Sequence, residues 1–177
     1  MAKLCLNLGS GNDYRKSDEE RTWVNVDKGF CLMDYYLDIE KTPWIFCDPN
    51  DTEKAYDISE FDEIHAIQVL EHIDPHLFGD IIREMYQRSR AGAEWFIAVP
   101  HAFSDNFITD PTHQMRYSTR TFDYFVDGTQ LRENGRIYGW SDIHLSHITP
   151  PGIDGNQSII FHLGVIKVLD ADDKENI

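Results

Sequence analysis

Residues 4–11 read LCLNLGSG, a short apolar run that stops at a turn containing two glycines. A run of this kind predicts a buried first β-strand that leads directly into a tight turn. Four further apolar runs follow it, each closed by polar residues, at 22–26 (TWVNV), 44–47 (WIFC), 63–70 (EIHAIQVL) and 95–99 (WFIAV). Strand-like and helix-like segments alternate along the chain, which favours an α/β fold with a mostly parallel sheet.

The clearest predicted helix begins at Asp74, because Asp is a favoured N-cap and Pro75 suits the first helical position. Its apolar residues recur at three- and four-residue spacing and form one stripe, made of Leu77, Phe78, Ile81, Ile82 and Met85. Gly92 is placed to end this helix in a left-handed conformation. A second helix is predicted over 118–125, with its two phenylalanines facing inward.

Near the end of the chain, 137–148 and 158–169 are rich in β-forming residues, and the turn-rich stretch 149–156 (TPPGIDGN) joins them. So short a connection predicts an antiparallel pair of strands. The length of 177 residues fits one domain spanning 1–177, with an acidic, frayed tail at 169–177.

The chain carries 31 acidic and 16 basic residues, which gives a formal net charge of −15 at pH 7. Proteins that bind nucleic-acid backbones normally present a basic face, so direct nucleic-acid binding is not expected. No apolar stretch is long enough to span a membrane and the N-terminus lacks a secretory signal pattern, which together predict a cytoplasmic protein. Cys5, Cys31 and Cys47 lack metal-ligand spacing and are predicted to be buried free thiols.

The residues after each predicted strand are candidate ligand contacts, because open parallel sheets bind ligands at the carboxyl ends of their strands. Gly9 and Gly11 let the backbone approach a ligand closely. Asp27 can accept two hydrogen bonds from a ribose diol, and Asp48 can accept one from the amine of adenine. The predicted set for an adenosine-containing ligand is Leu8, Gly9, Ser10, Gly11, Asn12, Asp27, Cys47, Asp48, Gln68, Val69, Leu70 and His72.

Five segments, LNLGSGN, WVNVD, FDEIHAIQVLEHI, AGAEWFIAVPH and DPTH, together resemble the class I S-adenosylmethionine (SAM)-dependent methyltransferases, in particular a small branch with these motifs. The resemblance implies a Rossmann-like sheet, mostly parallel with an antiparallel C-terminal strand. It also implies SAM as the cofactor, held by residues from the set above. The polar segment 12–21 (NDYRKSDEER) departs from the family pattern, because it has no apolar stripe with which a first helix could pack on the sheet.

A dinucleotide is the competing adenosine ligand. It requires a G-x-G-x-x-G turn, whose third glycine allows close packing of a helix that holds the pyrophosphate. Tyr14 occupies the third position here, and the helix expected after it is weak. SAM has no phosphate and tolerates both departures, so the sequence favours SAM over NAD or a flavin.

Candidates for contact with a methyl acceptor follow the fourth and fifth strands. We single out His101, His113 and Asp110 for catalysis, because an imidazole can accept a proton near neutral pH. The DPTH segment at 110–113 also fits a purely structural turn in which the Asp caps the backbone. The spacing of His101, Asp105, Asp110 and His113 matches no common ligand pattern, so no metal site is predicted.

Three functions remain open at this point. The first is a SAM-dependent methyltransferase that acts on a small-molecule or sugar-like acceptor, as a monomer, a homodimer or with a partner protein. The second is a methyltransferase-like subunit that binds SAM without catalysis. The third is a metal-assisted hydrolase built on residues 101–113. Residues 68–72 occupy the position where amino methyltransferases of DNA carry an Asn/Asp-Pro-Pro-Tyr/Phe element, which argues against methylation of nucleic acid.

Overall fold

The structure is a computed structural model that describes residues 1–29 and 31–167. Its strands are β1 (Lys3–Leu8), β2 (Arg21–Asp27), β3 (Tyr35–Tyr36), β4 (Phe46–Asp48), β5 (Asp51–Tyr56), β6 (Phe61–Ile67), β7 (Ser89–Pro100), β8 (Leu145–Ile153) and β9 (Ser158–Val165). Its helices are α1 (Phe78–Arg88), α2 (Asp105–Thr109) and α3 (Arg132–Ile137). The acidic tail predicted at 169–177 lies outside the described residues.

These strands form one sheet in the order β5-β4-β3-β2-β1-β6-β7-β9-β8. The five central strands, β3-β2-β1-β6-β7, are parallel to one another. The predicted α/β fold with a parallel core is therefore confirmed. The predicted antiparallel C-terminal pair is also confirmed, since β9 runs antiparallel to both β7 and β8. The bounds of its first strand were wrong, because β8 begins at Leu145 and includes 149–153 of the predicted turn. The sheet is more mixed than predicted, because β4 and β5 extend its other edge in antiparallel pairing.

The predicted third parallel strand is wrong. The apolar run at 44–47 contributes to β4, which is antiparallel to β3 through the pair Tyr36 and Cys47. A turn follows in which the Asn50 amide donates to Asp48 Oδ1 over 2.8 Å, and β5 then returns along β4. The third parallel strand is instead the two-residue β3, which was too short to be recognised as an apolar run. Asp48 therefore lies in an edge hairpin and does not follow a parallel strand.

The helix predicted from Asp74 is largely confirmed. The Asp74 side chain accepts a hydrogen bond from the His76 amide, and a short 3₁₀ turn at Pro75–Leu77 leads into α1. Phe78, Ile81, Ile82 and Met85 are all buried, as their spacing predicts. Gly92 does not end the helix: α1 stops at Arg88, and Gly92 lies inside β7 with a φ of 77°.

The second predicted helix, at 118–125, is only a 3₁₀ turn over Thr121–Tyr124. The Thr121 hydroxyl accepts from the Ser118 amide over 2.9 Å, a side-chain bond of the kind that competes with helical backbone pairing. Phe122 and Phe125 are nevertheless fully buried, as predicted. Of the three free cysteines, Cys5 is buried, whereas Cys31 and Cys47 are partly exposed.

The two faces of the sheet differ in chemistry. Alternate residues of the central strands, among them Leu6, Val26, Ile64, Trp95 and Phe161, form a hydrophobic core together with the buried face of α1. The opposite face carries a row of half-buried rings whose successive centroids are 4.9, 4.6 and 4.4 Å apart: Trp23, His65, Phe96 and His162. The fold is thus built around one apolar layer.

Segment 12–20 contains no helix and lies against the face that carries the row of rings. Two buried amides hold it there: Asn7 Nδ2 donates to the Asp13 carbonyl over 2.7 Å, and Asn25 Oδ1 accepts from the Arg15 amide over 2.9 Å. The Arg15 guanidinium also lies 4.6 Å from the centre of the Trp23 ring. Segment 12–20 therefore needs no apolar stripe, because polar contacts with its backbone hold it on the sheet in place of helix packing. Among the described residues, no helix has the length and apolarity needed to cross a bilayer.

Candidate functional site

A cleft of about 280 Å³ opens at the carboxyl ends of the parallel strands. Four strands contribute to it through the residues that follow them. These lining residues are Gly9 and Gly11 after β1, Asp27 and Lys28 at the end of β2, Leu37 and Ile39 after β3, and Gln68, Val69 and His72 after β6. Its volume is slightly below the range of about 300–1,000 Å³ that is usual for small-molecule sites.

The turn after β1 requires glycine at Gly9. Its φ is 64°, and a Cβ there would lie 2.3 Å from Val69 Cγ2. The ends of β1 and β6 can approach each other only because glycine has no Cβ. At Gly11, where φ is 48°, a Cβ would meet nothing nearer than the Gly9 carbonyl oxygen at 4.0 Å. The space above Gly11 is therefore open to a ligand.

Asp27 connects the ends of the first two strands. Its Oδ2 accepts the Gly11 amide over 2.9 Å, and its Oδ1 accepts the Gly29 amide over 2.7 Å. These bonds fix the carboxylate at the side of the cleft while each oxygen keeps a further lone pair. A carboxylate held in this way is prepared to receive donors such as a pair of vicinal hydroxyls.

The apolar wall of the cleft was missed by sequence reasoning. Leu37 and Ile39 follow β3 and are both buried, at 2% and 8% exposure. Asp38 lies between them, with its carboxylate 3.5 Å from Lys28 Nζ and 3.3 Å from Lys41 Nζ. Burial opposes ionisation of Asp38, but the two lysines outweigh it and lower its pKa. The sequence feature that could have indicated this wall is the short run YYLD at 35–38, which ends in an acid as the run WVNVD does.

The structure brings six of the twelve predicted cofactor residues together in the cleft: Gly9, Gly11, Asp27, Gln68, Val69 and His72. Three others, Leu8, Ser10 and Leu70, are buried behind it, and Asn12 is exposed. Cys47 lines a different cavity, on the β3–β5 edge, and Asp48 lies in the adjoining hairpin. These two predicted residues are separated from the rest because β4 runs antiparallel to β3.

A second cavity, of about 380 Å³, lies beside the segment after β7. It is lined by Ala102, Phe103, Phe107, Ile108, Asp110, Pro111, His113 and Arg116. Two of the three predicted catalytic residues, Asp110 and His113, are therefore in its wall. His101 is not among the lining residues: its Nδ1 accepts the Phe103 amide over 3.2 Å at the start of the loop.

The two cavities meet at a cluster formed by Glu71, His72, Asp110 and His113, which we call the wall cluster. His72 lines the first cavity and His113 the second, and their ring centroids are 4.8 Å apart. Glu71 lies between them with one side-chain oxygen 3.9 Å from His113 Nε2. The loop holds this arrangement, because the amides of Gln114 and Met115 donate to the Glu71 carbonyl over 2.7 and 3.0 Å.

Glu71 is fully buried, and neither of its carboxylate oxygens has a hydrogen-bond partner among the described residues. Burial, together with the negative charge of Asp110, raises the pKa of Glu71 to about 7. Burial and the neighbouring His113 lower the pKa of His72. Sequence reasoning selected His113 and Asp110 but missed Glu71, although the LEHI motif that contains it was recognised.

The DPTH segment forms the turn that its sequence favours. Asp110 Oδ1 accepts both the Thr112 amide, over 2.8 Å, and the Thr112 hydroxyl, over 2.6 Å. The second carboxylate oxygen of Asp110, Oδ2, lies 3.7 Å from His113 Nε2. Asp110 thus has a structural role in the turn and contributes a carboxylate oxygen to the wall cluster.

No family model and no curated protein sequence matches the chain. Solved structures do. A SAM-dependent methyltransferase from Archaeoglobus fulgidus aligns with a TM-score of 0.56 and 16% identity, covering 92% of this chain and 86% of that one. The N-methyltransferase NodS from Bradyrhizobium japonicum WM9, in complex with S-adenosyl-L-homocysteine (SAH), aligns with a TM-score of 0.54 and 10% identity, covering 92% and 78%. At these identities the likeness establishes that the chain has the α/β fold of SAM-dependent methyltransferases.

Proposed function

We propose that the chain binds SAM in the first cavity and transfers its methyl group to a small-molecule acceptor in the second. The observation that carries this proposal is the convergence of four strand ends on one cleft with Asp27 fixed at its side. The glycine turn, the carboxylate, and the apolar pair Leu37 and Ile39 suit, in that order, the methionine chain, the ribose and the adenine base of SAM. The shared fold agrees with this assignment.

The same cleft is poorly suited to a dinucleotide. A pyrophosphate is normally held at the N-terminus of a helix that follows the first strand. Segment 12–20 contains no helix, and Tyr14, at the position of the third glycine, donates its hydroxyl to Asp34 over 2.8 Å. SAM has no phosphate, so neither the absence of a helix in 12–20 nor the presence of Tyr14 would weaken its binding.

The remaining predicted cofactor residues take different parts in this proposal. Leu8, Ser10 and Leu70 support the cleft from behind, and Asn12 lies on its exposed lip. Leu37, Ile39 and Lys28 replace Cys47 and Asp48 as the residues expected near the base.

Bound SAM would supply an activated methyl group, and the protein would supply alignment and exclusion of water. We assign the acceptor to the second cavity because its volume suits a small molecule and its wall reaches the first cavity through His72 and His113. His113 and Asp110 would orient the accepting atom. His101, at the start of the same loop, would act on the acceptor only after a change in its side-chain position.

Calorimetry with SAM and SAH tests cofactor binding directly. We expect one site per chain for each ligand, and the absence of binding at millimolar concentration would overturn the proposal. Transfer of a labelled methyl group to a panel of small hydroxyl- and amine-containing acceptors tests catalysis. Binding of SAM without transfer would instead support the catalytically inactive subunit.

A further inference from the structure

We propose that Glu71, His72 and His113 bind one divalent transition-metal ion, of the zinc class, in the wall between the two cavities. One donor atom from each of these residues lies within 4.8 Å of the other two. Two imidazoles and one carboxylate are a common donor set for zinc and leave a coordination position open. The spacing of residues along the sequence gave no indication of this site, because the loop after β7 brings His113 to the LEHI turn.

The first argument is the state of Glu71. Its side chain is 1% exposed, and neither oxygen has a partner in the described part of the chain. A buried carboxylate without a partner is costly, and buried charges in proteins are normally paired or coordinate a metal. The nearest basic atom is His113 Nε2 at 3.9 Å, which is beyond hydrogen-bonding distance. A cation placed between these atoms would satisfy the carboxylate.

The second argument concerns the protonation of His113. Its Nδ1 lies 3.2 Å from the Phe107 carbonyl oxygen, which can only accept a hydrogen bond. Nδ1 therefore carries the proton, and in a neutral ring Nε2 keeps its lone pair. That Nε2 is the atom directed at Glu71 and at Asp110 Oδ2, 3.9 and 3.7 Å away. A backbone carbonyl that fixes the ring from behind is the usual support for a metal-binding histidine.

The same reasoning applies to His72. Its Nδ1 lies 3.0 Å from the Thr112 hydroxyl oxygen, and that hydroxyl donates its single proton to Asp110 over 2.6 Å. The hydroxyl oxygen must then accept the proton of His72 Nδ1, which leaves His72 Nε2 unprotonated. One short turn, 110–113, thus orients both imidazoles.

The geometry requires a small closure. Tetrahedral zinc with bonds of about 2.0–2.1 Å places its ligand atoms about 3.3 Å apart. The donor atoms here are up to 4.8 Å apart, so side-chain rotations would bring them together on binding. Asp110 Oδ2, which is 3.7 Å from His113 Nε2, lies beside the fourth position and would accept a hydrogen bond from a water held there. Bound metal would change the role proposed above for His113, which would then act on the acceptor through the ion. In that respect alone the inference rests on the proposed function.

Cobalt(II) is a suitable probe, since its visible absorption reports coordination number and ligand type. We expect the full-length chain, after dialysis against a chelator, to bind one Co²⁺ with the intense absorption of a four-coordinate site. Zn²⁺ should displace it. Glu71→Gln, which keeps the shape of the side chain, should weaken binding by more than the roughly 10–100-fold that loss of an outer-shell partner costs, as should His72→Ala and His113→Ala. His76→Ala removes an exposed histidine close by and should leave binding unchanged.

Three results would overturn the site: no cobalt spectrum, equal affinity in Glu71→Gln, or a thiolate-to-cobalt band, which would place the metal on a cysteine. Thermal melts of each metal-free variant establish that a loss of binding is not a loss of folding. Asp27→Ala separates this inference from the proposed function. It should weaken SAM binding at least about tenfold while it retains the cobalt spectrum, so each proposal can fail without the other.

Discussion

The imidazoles of His72 and His113 are 4.8 Å apart between ring centroids, with their planes at 60°. One ring lines the cavity at the ends of the parallel strands, and the other lines the cavity beside the loop after β7. The side chains of His72 and His113 are thus the point at which the two cavities come close to one another. Methyl transfer needs reacting atoms about 3–3.5 Å apart, so reactants in the two cavities would meet only where these two rings move aside.

Asp27→Ala is expected to weaken SAM and SAH binding at least about tenfold, because hydrogen bonds to a charged group contribute about 1.5–3 kcal/mol each. The loss should appear in calorimetry and as a smaller ligand-induced rise in melting temperature. Asp48→Ala is the matched control, since Asp48 lies in the edge hairpin and its side chain accepts the Asn50 amide. An equal loss of binding in Asp48→Ala would contradict the position we assign to the cleft.

Gly9→Ala is expected to lower the free energy of unfolding by about 2–4 kcal/mol, from left-handed backbone strain together with overpacking against Val69. Chemical denaturation measures this change. Gly9→Ala with Val69→Ala should recover only part of the packing loss, because the Cβ of residue 69 would still lie 2.8 Å from the new methyl group. Gly155→Ala, where a Cβ would meet nothing within 4 Å, should change stability by less than about 0.5 kcal/mol. A loss at Gly9 as small as the one expected at Gly155 would show that the turn after β1 does not require glycine.

Glu63→Gln is expected to destabilise the fold in a pH-dependent way. Burial alone would raise the pKa of Glu63, but hydrogen bonds from Arg21, Lys3 and His65 outweigh it and lower the pKa to about 2. Because the folded-state pKa lies below that of the unfolded chain, the stabilisation is complete above about pH 5 and is lost progressively toward about pH 2. Glu63→Gln should therefore lose about 2–3 kcal/mol at pH 7 and progressively less in acid.

Urea denaturation of both proteins at pH 7, 4 and 3 measures the change at Glu63. Glu133→Gln provides the control, because the Glu133 side chain is 71% exposed and its ion pair with Arg136 is at the surface. That variant should differ from the parent by less than about 0.5 kcal/mol at every pH. A gap between Glu63→Gln and the parent that stays constant from pH 7 to pH 3 would exclude the charge of Glu63 as its source.

The Cys5 thiol is expected to be inert in the folded protein. Burial, and then the nearby charge of Glu63, raises the pKa of Cys5 to about 12, so almost no thiolate is present near neutral pH. Cys31 and Cys47 are partly exposed and should be alkylated by iodoacetamide first. Mass spectrometry of peptides after timed alkylation distinguishes the three sites, with denatured protein as the control in which Cys5 also reacts. Modification of native Cys5 as fast as Cys47 would contradict its placement in the sheet.

Much of the fold was predictable because its signals are local. Apolar runs closed by polar residues located β1, β2 and β6, and Asp74 with Pro75 located the start of the main helical segment. Segment 12–21 was correctly expected to lack a packed helix, since a helix without an apolar stripe gains little from lying on a sheet. The glycine turn and Asp27 followed from the same strand ends.

The errors came from features that only strand pairing decides. Cys47 and Asp48 end an apolar run just as Val26 and Asp27 do, and the run alone does not reveal that β4 pairs antiparallel to β3. The two-residue β3 is too short to produce a period, so Leu37, Asp38 and Ile39 were overlooked. Strand direction in a sheet depends on contacts between distant residues, and no local pattern contains that information.

By itself, then, the sequence determined the positions of β1, β2, β6 and β7, the turn at Gly9 and Gly11, and the acid at Asp27, because each depends on residues within a few positions of one another. Tertiary structure alone decided that the apolar wall of the cleft is Leu37 and Ile39, and that a buried, unpaired Glu71 meets His113 across 3.9 Å. The physical reason is desolvation. How much a carboxylate costs to bury, and which group can compensate for it, depends on the neighbours that the folded chain brings from elsewhere.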